Sequence, residues 1–149
     1  MQGTQGTWIS QPGNSHRKLN SFTLEKVANQ LLKNPEQRQK NLQEIEIAIA
    51  RYKMFLYLQS LYPHVQLVPT QEIDEIWHTH ILMNTLEYIQ DCQHLFGRIV
   101  HHASFAEIPQ KENRTPTLAL TQTLFELHFG KGSFAKEVKS AACGILREE

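Results

Sequence analysis

The stretch Pro69-Thr-Gln-Glu-Ile-Asp-Glu-Ile-Trp-His-Thr-His80, continued by residues 81–102, decides how this chain is interpreted. Five of the 8 histidines lie between His78 and His102, together with one of the two cysteines. Asp74 precedes His78 by four residues, so a helix would place both side chains on one face. The pattern predicts a helix that carries a polar site.

Local signals predict that this stretch forms two helices rather than one. Thr70 is a typical N-cap residue, and acidic residues follow it in the first turns. Asn84, with Glu87 three residues later, has a spacing related to a capping box and indicates a second helix start. We therefore expect a break at Leu82–Asn84 and an end at Gly97, a residue typical of helix C-termini.

The break decides which side chains can meet. In one unbroken helix, His78 and Cys92 would lie about 21 Å apart, too far to share a metal ion. A bend at residue 84 would instead bring the histidines near the side chains that follow it, which are Tyr88, Asp91 and Cys92. His78 and His80 differ by roughly 200° around a helix, so they cannot chelate one ion unless the helix ends there.

The rest of the chain has the spacing of amphipathic helices, with few strand signals and no repeats. The predicted helices cover about residues 21–33, 36–61, 70–83, 85–96, 115–129 and 133–147. The apolar stripe predicted for the second helix consists of Leu42, Ile45, Ala48, Ile49, Tyr52, Phe55 and Leu56. They predict an all-α fold, an irregular bundle of five to six helices in one domain over residues 21–149. Residues 1–20 are polar and contain several glycines, which predicts a flexible, mobile N-terminal segment.

Composition excludes several classes of protein. Lys+Arg and Asp+Glu both number 15, so no cationic surplus exists and no nucleic-acid partner is expected. No apolar run reaches the ~18–20 residues of a membrane span, and the N-terminus lacks the pattern of a signal peptide. Cys92 and Cys143 form neither a CxxC motif nor a dense disulfide framework, which favours reduced thiols and a cytoplasmic location. The oligomeric state stays open.

Three interpretations of the polar residues are open, and the third is a catalytic dyad that acts without a metal. In the first, Asp, His and Tyr side chains form a buried structural network of hydrogen bonds. The residues of this motif are Asp74, Trp77, His78, His80, Tyr88, Asp91 and Cys92. In the second, imidazoles and a carboxylate ligate a Zn or non-haem Fe cofactor. The candidate metal ligands are Asp74, His78, His80, His101 and His102.

One ordered set of residues resembles the signature of the glycine-rich-domain-containing-protein-like family. The family pattern is P-T-x-x-x-D-x-x-W-H-x-H, followed by Y-x-x-D-C-x-x-x-F/Y-G. The matching residues are Pro69-Thr70, Asp74, Trp77-His78-Thr79-His80, Tyr88, Asp91-Cys92 and Phe96-Gly97. The resemblance implies a small helical domain of uncharacterised biochemical function over about residues 20–130.

The resemblance also bears on the break and on partners. A proline commonly follows the W-H-x-H segment in that family, at about the place of Asn84, which supports the predicted break. Plant relatives carry a glycine-rich tail linked to RNA binding. This chain has only 7 Gly and no such tail, so RNA binding is not expected.

Two functions therefore remain in view. The first is a protein-interaction or structural module, in which the polar network rigidifies a helical hairpin that presents a surface to a protein partner. The second is a metal-binding domain, with or without enzymatic activity. The sequence favours the first and does not decide whether the protein is an enzyme.

Overall fold

A computed structural model describes residues 18–19, 22–33, 41–102 and 118–135 of the 149-residue chain. The helices bounded there are α1 (Glu25–Lys33), α2 (Leu42–Leu61), α3 (Gln71–Met83), α4 (Thr85–Phe96) and α5 (Leu118–Phe129). No β-strand occurs in these ranges, and the predicted all-α class is confirmed. Within the same ranges, none of the helices is long and apolar enough to cross a membrane.

Several predictions fall largely on other parts of the chain. The predicted mobile segment 1–20 lies outside the described residues except at Lys18 and Leu19, and Leu19 is buried in a small cluster with Tyr57 and Leu95. Of the predicted helix over residues 133–147, the structure describes only residues 133–135, and these three are not helical. The predicted helix start at Thr115 also lies outside the described residues.

Helix α2 is the central element of the core. It packs against α1, α3 and α5. Its buried side chains are Ile45, Ala48, Ile49, Tyr52, Phe55, Leu56, Tyr57 and Leu58. Because burying one large apolar side chain stabilises the fold by about 1.5–3 kcal/mol before entropy is counted, this helix provides a major part of the driving force for folding.

The start of α2 corrects the sequence prediction, which placed it near residue 36. The helix begins at Leu42, because Asn41 has an extended backbone with φ −85° and ψ 172°. The Asn41 side chain accepts a hydrogen bond from the Glu44 N–H, and the Asn41 N–H donates to the Glu44 carboxylate. This reciprocal capping box fixes the start. Leu42, expected in the apolar stripe, is 52% exposed.

A single residue, Asn84, joins α3 to α4. It caps the end of α3 and the start of α4, and its side chain accepts a hydrogen bond from the Glu87 N–H at 3.1 Å. At the other end of α3, the Thr70 hydroxyl accepts a hydrogen bond from the Ile73 N–H. Gly97 ends α4 with φ 74°. The predicted break and both predicted caps are confirmed.

The segment between α2 and α3 passes through the core without regular secondary structure. Leu67 and Val68 are only 1% and 3% exposed. Gln59 of α2 accepts a hydrogen bond from the Leu67 N–H at 3.1 Å. The Val68 N–H donates to the Thr121 hydroxyl of α5 at 2.8 Å. These contacts fix the origin of α3 and therefore the position of the side chains that it carries.

Candidate metal centre and buried polar network

Asp74 and His78 lie one turn apart on the outward side of α3. Asp74 Oδ2 is 3.2 Å from His78 Nδ1, and the same nitrogen is 2.8 Å from the Asp74 carbonyl oxygen. The Asp74 and His78 side chains are 23% and 52% exposed. Half of the His78 side chain is in contact with solvent, so its orientation can adjust to a ligand.

His102 reaches the same point from the segment after α4. Its Nε2 is 2.8 Å from Asp74 Oδ1. The centroid of its ring is 4.5 Å from that of His78 and 4.2 Å from that of Trp77. One ligand atom from each of Asp74, His78 and His102 lies within 4.8 Å of the other two. The fold thus brings two imidazoles and a carboxylate together.

The three side chains fit a transition-metal ion in chemical type and nearly in distance. Two imidazoles and one carboxylate form a common donor set for Zn(II) and for non-haem Fe(II). A tetrahedral ion with bonds of ~2.1 Å places its ligand atoms about 3.4 Å apart. Asp74 Oδ2 lies 3.2 Å from His78 Nδ1, and Asp74 Oδ1 lies 2.8 Å from His102 Nε2. Each imidazole N–H donates to a separate carboxylate oxygen, so an imidazole nitrogen that ligates the ion through this contact would first lose its proton. Two ligand atoms that are farther apart than about 3.4 Å could approach each other by rotation of the half-exposed His78 ring.

His80 points to the opposite side of α3, where both of its ring nitrogens have partners. Its Nδ1 is 2.7 Å from the Tyr52 hydroxyl oxygen, and its Nε2 is 2.9 Å from Asp91 Oδ2. The residue is only 5% exposed. Burial raises the pKa of Tyr52, so its hydroxyl keeps its proton and donates to Nδ1. The Nε2–H then donates to the Asp91 carboxylate. In this tautomer, His80 has no free lone pair for a metal.

A second buried chain of hydrogen bonds positions His102. The Trp77 Nε1–H donates to the Tyr88 hydroxyl at 2.8 Å, and that hydroxyl donates to the Val100 carbonyl oxygen at 2.5 Å. Burial raises the pKa of Tyr88, so it remains a donor at neutral pH. Val100 precedes His102 by two residues. The chain therefore fixes the backbone segment that delivers His102 to Asp74.

Cys92 belongs to this buried region. It is 1% exposed, and its thiol lies against Tyr88 and the backbone of Val100. Burial raises the pKa of the Cys92 thiol. Because the thiolate is the form that ligates metals, the geometry favours a packing role for this side chain.

The structure brings three of the five candidate ligands together and leaves two apart. The group consists of Asp74, His78 and His102. His80 is engaged by Tyr52 and Asp91, and the exposed His101 is not in the group. Tyr52 was predicted as part of the apolar stripe of α2 and not as a site residue. The available signal was its hydroxyl, because a buried tyrosine usually needs a hydrogen-bond partner.

Together, these features define a class of protein: a small all-helical domain in which a W-H-x-H helix and a Y-x-x-D-C helix share one capping residue. The model of the UCP032817-like family matches residues 14–125. Since this match covers most of the chain, the chain belongs to the UCP032817-like family.

Two plant proteins are also similar to this chain. It is 40% identical over 62 residues to Glycine-rich domain-containing protein 1 of Arabidopsis thaliana, and the aligned stretch covers 39% of this chain and 7% of that protein. Identity to Glycine-rich domain-containing protein 2 of the same plant is 39% over 62 residues, covering 39% of this chain and 8% of that protein. The chain thus spans a small part of these relatives. The resemblance predicted from the sequence is confirmed. No solved structure matches the chain significantly.

Proposed function

We propose that this domain binds one divalent transition-metal ion, Zn(II) or Fe(II), through Asp74, His78 and His102. The observation that carries the proposal is the convergence of one ligand atom from each residue within 4.8 Å. Asp74 and His78 are neighbours by helix spacing alone. His102 is 28 residues from Asp74 and reaches it only because of the tertiary fold.

The surroundings of His102 support this proposal. The Trp77 ring packs against the His102 ring, and the Tyr88 hydroxyl holds the backbone two residues earlier. Both supporting side chains are buried, at 1% and 4% exposure. Metal-binding histidines are typically oriented by such neighbouring groups. Groups that are already oriented lose less conformational freedom when a ligand binds.

Three protein ligands would leave coordination positions open. A tetrahedral Zn(II) would retain one such position, and a six-coordinate Fe(II) would retain three. Water activation and O₂ binding both require an open position, and a bound metal would supply Lewis acidity toward a water there. The half-exposed His78 leaves this side of α3 accessible to solvent.

Elemental analysis of protein purified without a histidine tag or a metal column tests the proposal. We expect about one Zn or Fe per chain, and a visible absorption band when Co(II) is added to metal-free protein. His102→Gln should weaken Co(II) binding by at least about tenfold, because it removes a ligand. His101→Gln is the matched control, since it changes the neighbouring exposed histidine and should bind as the wild type does.

Two results would contradict metal binding at this site. One is metal-free protein that gives no Co(II) band at any tested concentration. The other is identical Co(II) affinity in the His101→Gln and His102→Gln variants. Circular dichroism of each variant separates loss of a ligand from loss of the fold.

A second candidate function, as a protein-interaction module, is favoured by an apolar corner at the joint between α3 and α4. Leu82, Met83 and Leu86 are 77%, 41% and 64% exposed. Clustered exposed apolar side chains are typical of protein-interaction sites. The buried networks of His80 and Tyr88 would hold the two helices that present this corner to a partner with an apolar surface.

The double substitution Leu82→Ser, Leu86→Ser tests this second candidate. Partner proteins that cross-link to the wild-type chain are first identified by mass spectrometry. The double variant should no longer cross-link to a partner that binds the apolar corner. Leu127→Ser is the control, because Leu127 is 74% exposed on α5 and lies outside the corner. A set of cross-linked partners that is the same for wild type and the double variant would remove this candidate.

A further inference from the structure

A cavity of about 380 Å³ is lined by residues at the start of α1 and by residues of α3 and α4. His80 is one of its lining residues, so the cavity lies on the side of α3 that faces away from Asp74 and His78. Its volume falls within the ~300–1,000 Å³ that is typical of small-molecule sites. None of Asp74, His78 and His102 lines it, so the cavity is independent of the proposed metal site.

The lining combines an apolar surface with an excess of negative charge. The apolar side chains are Phe22, Leu24, Val27 and Met83. Three carboxylates, those of Glu25, Glu87 and Asp91, are present with one ammonium group, that of Lys26. Lys26 Nζ lies 3.4 Å from Glu87 Oε2, and the two side chains are 75% and 41% exposed. Such an exposed pair is weak.

Asp91 is the most constrained of these carboxylates. Its side chain is 22% exposed, and its Oδ2 accepts the hydrogen bond from His80, which is itself held by Tyr52. Among the described residues, no hydrogen bond reaches the other oxygen, Oδ1. A carboxylate that is already oriented and partly withdrawn from water forms a stronger charge-assisted hydrogen bond than a mobile surface carboxylate.

We propose that this cavity binds a small organic ammonium ion, which donates a hydrogen bond to Asp91 Oδ1 and places its apolar body against Phe22 and Met83. The three carboxylates repel an anion, and a purely apolar molecule would leave Asp91 Oδ1 without a hydrogen-bond donor. A metal ion lacks a matching donor set, because no group of three ligands is found at this cavity within the described residues.

Titration of the full chain with phenethylamine and with the neutral analogue 2-phenylethanol, followed by NMR chemical shifts, tests the proposal. We expect the amine to bind at least about tenfold more tightly than the alcohol, which corresponds to about 1.4 kcal/mol. Asp91→Asn should weaken amine binding by about the same factor. The amide oxygen of the new side chain can still accept the hydrogen bond from His80, so the fold is preserved.

Two further variants make the test specific. Glu46→Gln removes a carboxylate that lines a neighbouring cavity of about 350 Å³, and it should leave amine binding unchanged. Met83→Trp enlarges a side chain that is 41% exposed, so it should fill the cavity without disturbing the core and block the amine. This variant keeps the proposal testable if Asp91→Asn fails to fold.

Several results would overturn the proposal. They are absence of amine binding, equal affinity for amine and alcohol, and equal amine affinity in wild type and Asp91→Asn. A parallel titration with Nα-acetyl-lysine N-methylamide distinguishes a free amine from the side chain of a protein lysine. Tighter binding of the lysine derivative than of phenethylamine would overturn the assignment to a small molecule.

Discussion

His78 and His80 stand two residues apart on one helix, yet they have opposite surroundings. His78 is 52% exposed as a side chain and contacts Asp74 and His102. His80 is 6% exposed as a side chain and has Tyr52 and Asp91 on its two nitrogens. The same residue type therefore provides a solvent-accessible imidazole on one face of α3 and, on the other, a buried imidazole whose two nitrogens both have hydrogen-bond partners.

The difference teaches that partners, rather than residue type, determine the role of each histidine. A ring with both nitrogens occupied is costly to replace, because its partners would be left unpaired in the protein interior. A half-exposed ring costs little to replace but can change its orientation to bind a ligand. Stability measurements should therefore respond to His80, and metal binding should respond to His78.

The largest effect is expected when His80 is removed. His80→Ala should lower the free energy of unfolding by about 3 kcal/mol, because the Tyr52 hydroxyl and the Asp91 carboxylate both lose a buried partner. His78→Ala should change it by less than about 0.5 kcal/mol. Urea denaturation in the presence of a chelator measures both values. Equal losses of unfolding free energy in the two variants would contradict the different roles assigned to His78 and His80.

Metal should reverse the ranking of the two histidines. At a Zn(II) concentration of 100 times the dissociation constant, the wild type should gain about 2.7 kcal/mol of stability. Asp74→Asn and His78→Ala should lose this gain. Tyr52→Phe, on the other face, should retain it. Urea denaturation with and without Zn(II) measures the gain, and a gain that survives in His78→Ala would remove this residue from the proposed ligands.

Tyr88→Phe should lower both the stability and the Co(II) affinity, because the Tyr88 hydroxyl accepts a hydrogen bond from Trp77 and donates one to Val100. We expect a loss of about 1–2 kcal/mol in stability and about tenfold in Co(II) affinity. The matched Tyr52→Phe variant should lose similar stability with unchanged Co(II) affinity. Denaturation and Co(II) titration of both variants check this, and equal Co(II) affinities would show that the Val100 contact does not position His102.

The smallest effect is expected at alkaline pH and comes from two buried tyrosine hydroxyls and one buried thiol. Burial raises the pKa of Cys92 from 9.0, and those of Tyr52 and Tyr88 from 10.0. The unfolded chain releases these protons first, so stability is complete below about pH 9 and declines as pH rises toward the folded-state pKa values. A loss of about 1 kcal/mol is expected at pH 9.5. Urea denaturation at pH 8 and 9.5 measures it, and Cys92→Ala should reduce the loss.

The sequence was most informative where structure is determined locally. Thr70, Asn84 and Gly97 were predicted to bound α3 and α4, and each acts through hydrogen bonds or backbone angles within a few residues of itself. The start of α2 shows the limit of the same reasoning. The sequence prediction started this helix near residue 36, whereas the capping box of Asn41 and Glu44 determines that it begins at Leu42.

Contacts between distant residues were predicted only in outline. The bend at Asn84 was expected to bring α3 histidines near Asp91, and His80 does contact it. The pairing of His80 with Tyr52 spans 28 residues and depends on how α2 packs against α3. Adjacent positions 101 and 102 offer the same residue type to the site. The path of the segment after α4 decides that His102, rather than His101, reaches Asp74.

Because Asn84 alone joins α3 to α4, the number of residues between these two helices is itself constrained. The hydrogen bonds from Trp77 to Tyr88 and from His80 to Asp91 both span 11 residues across the joint. Inserting one residue there would turn α4 by about 100° around its axis and remove both partners at once. A substitution can be accommodated one contact at a time, whereas an insertion or deletion between the two helices would disconnect both networks in a single event.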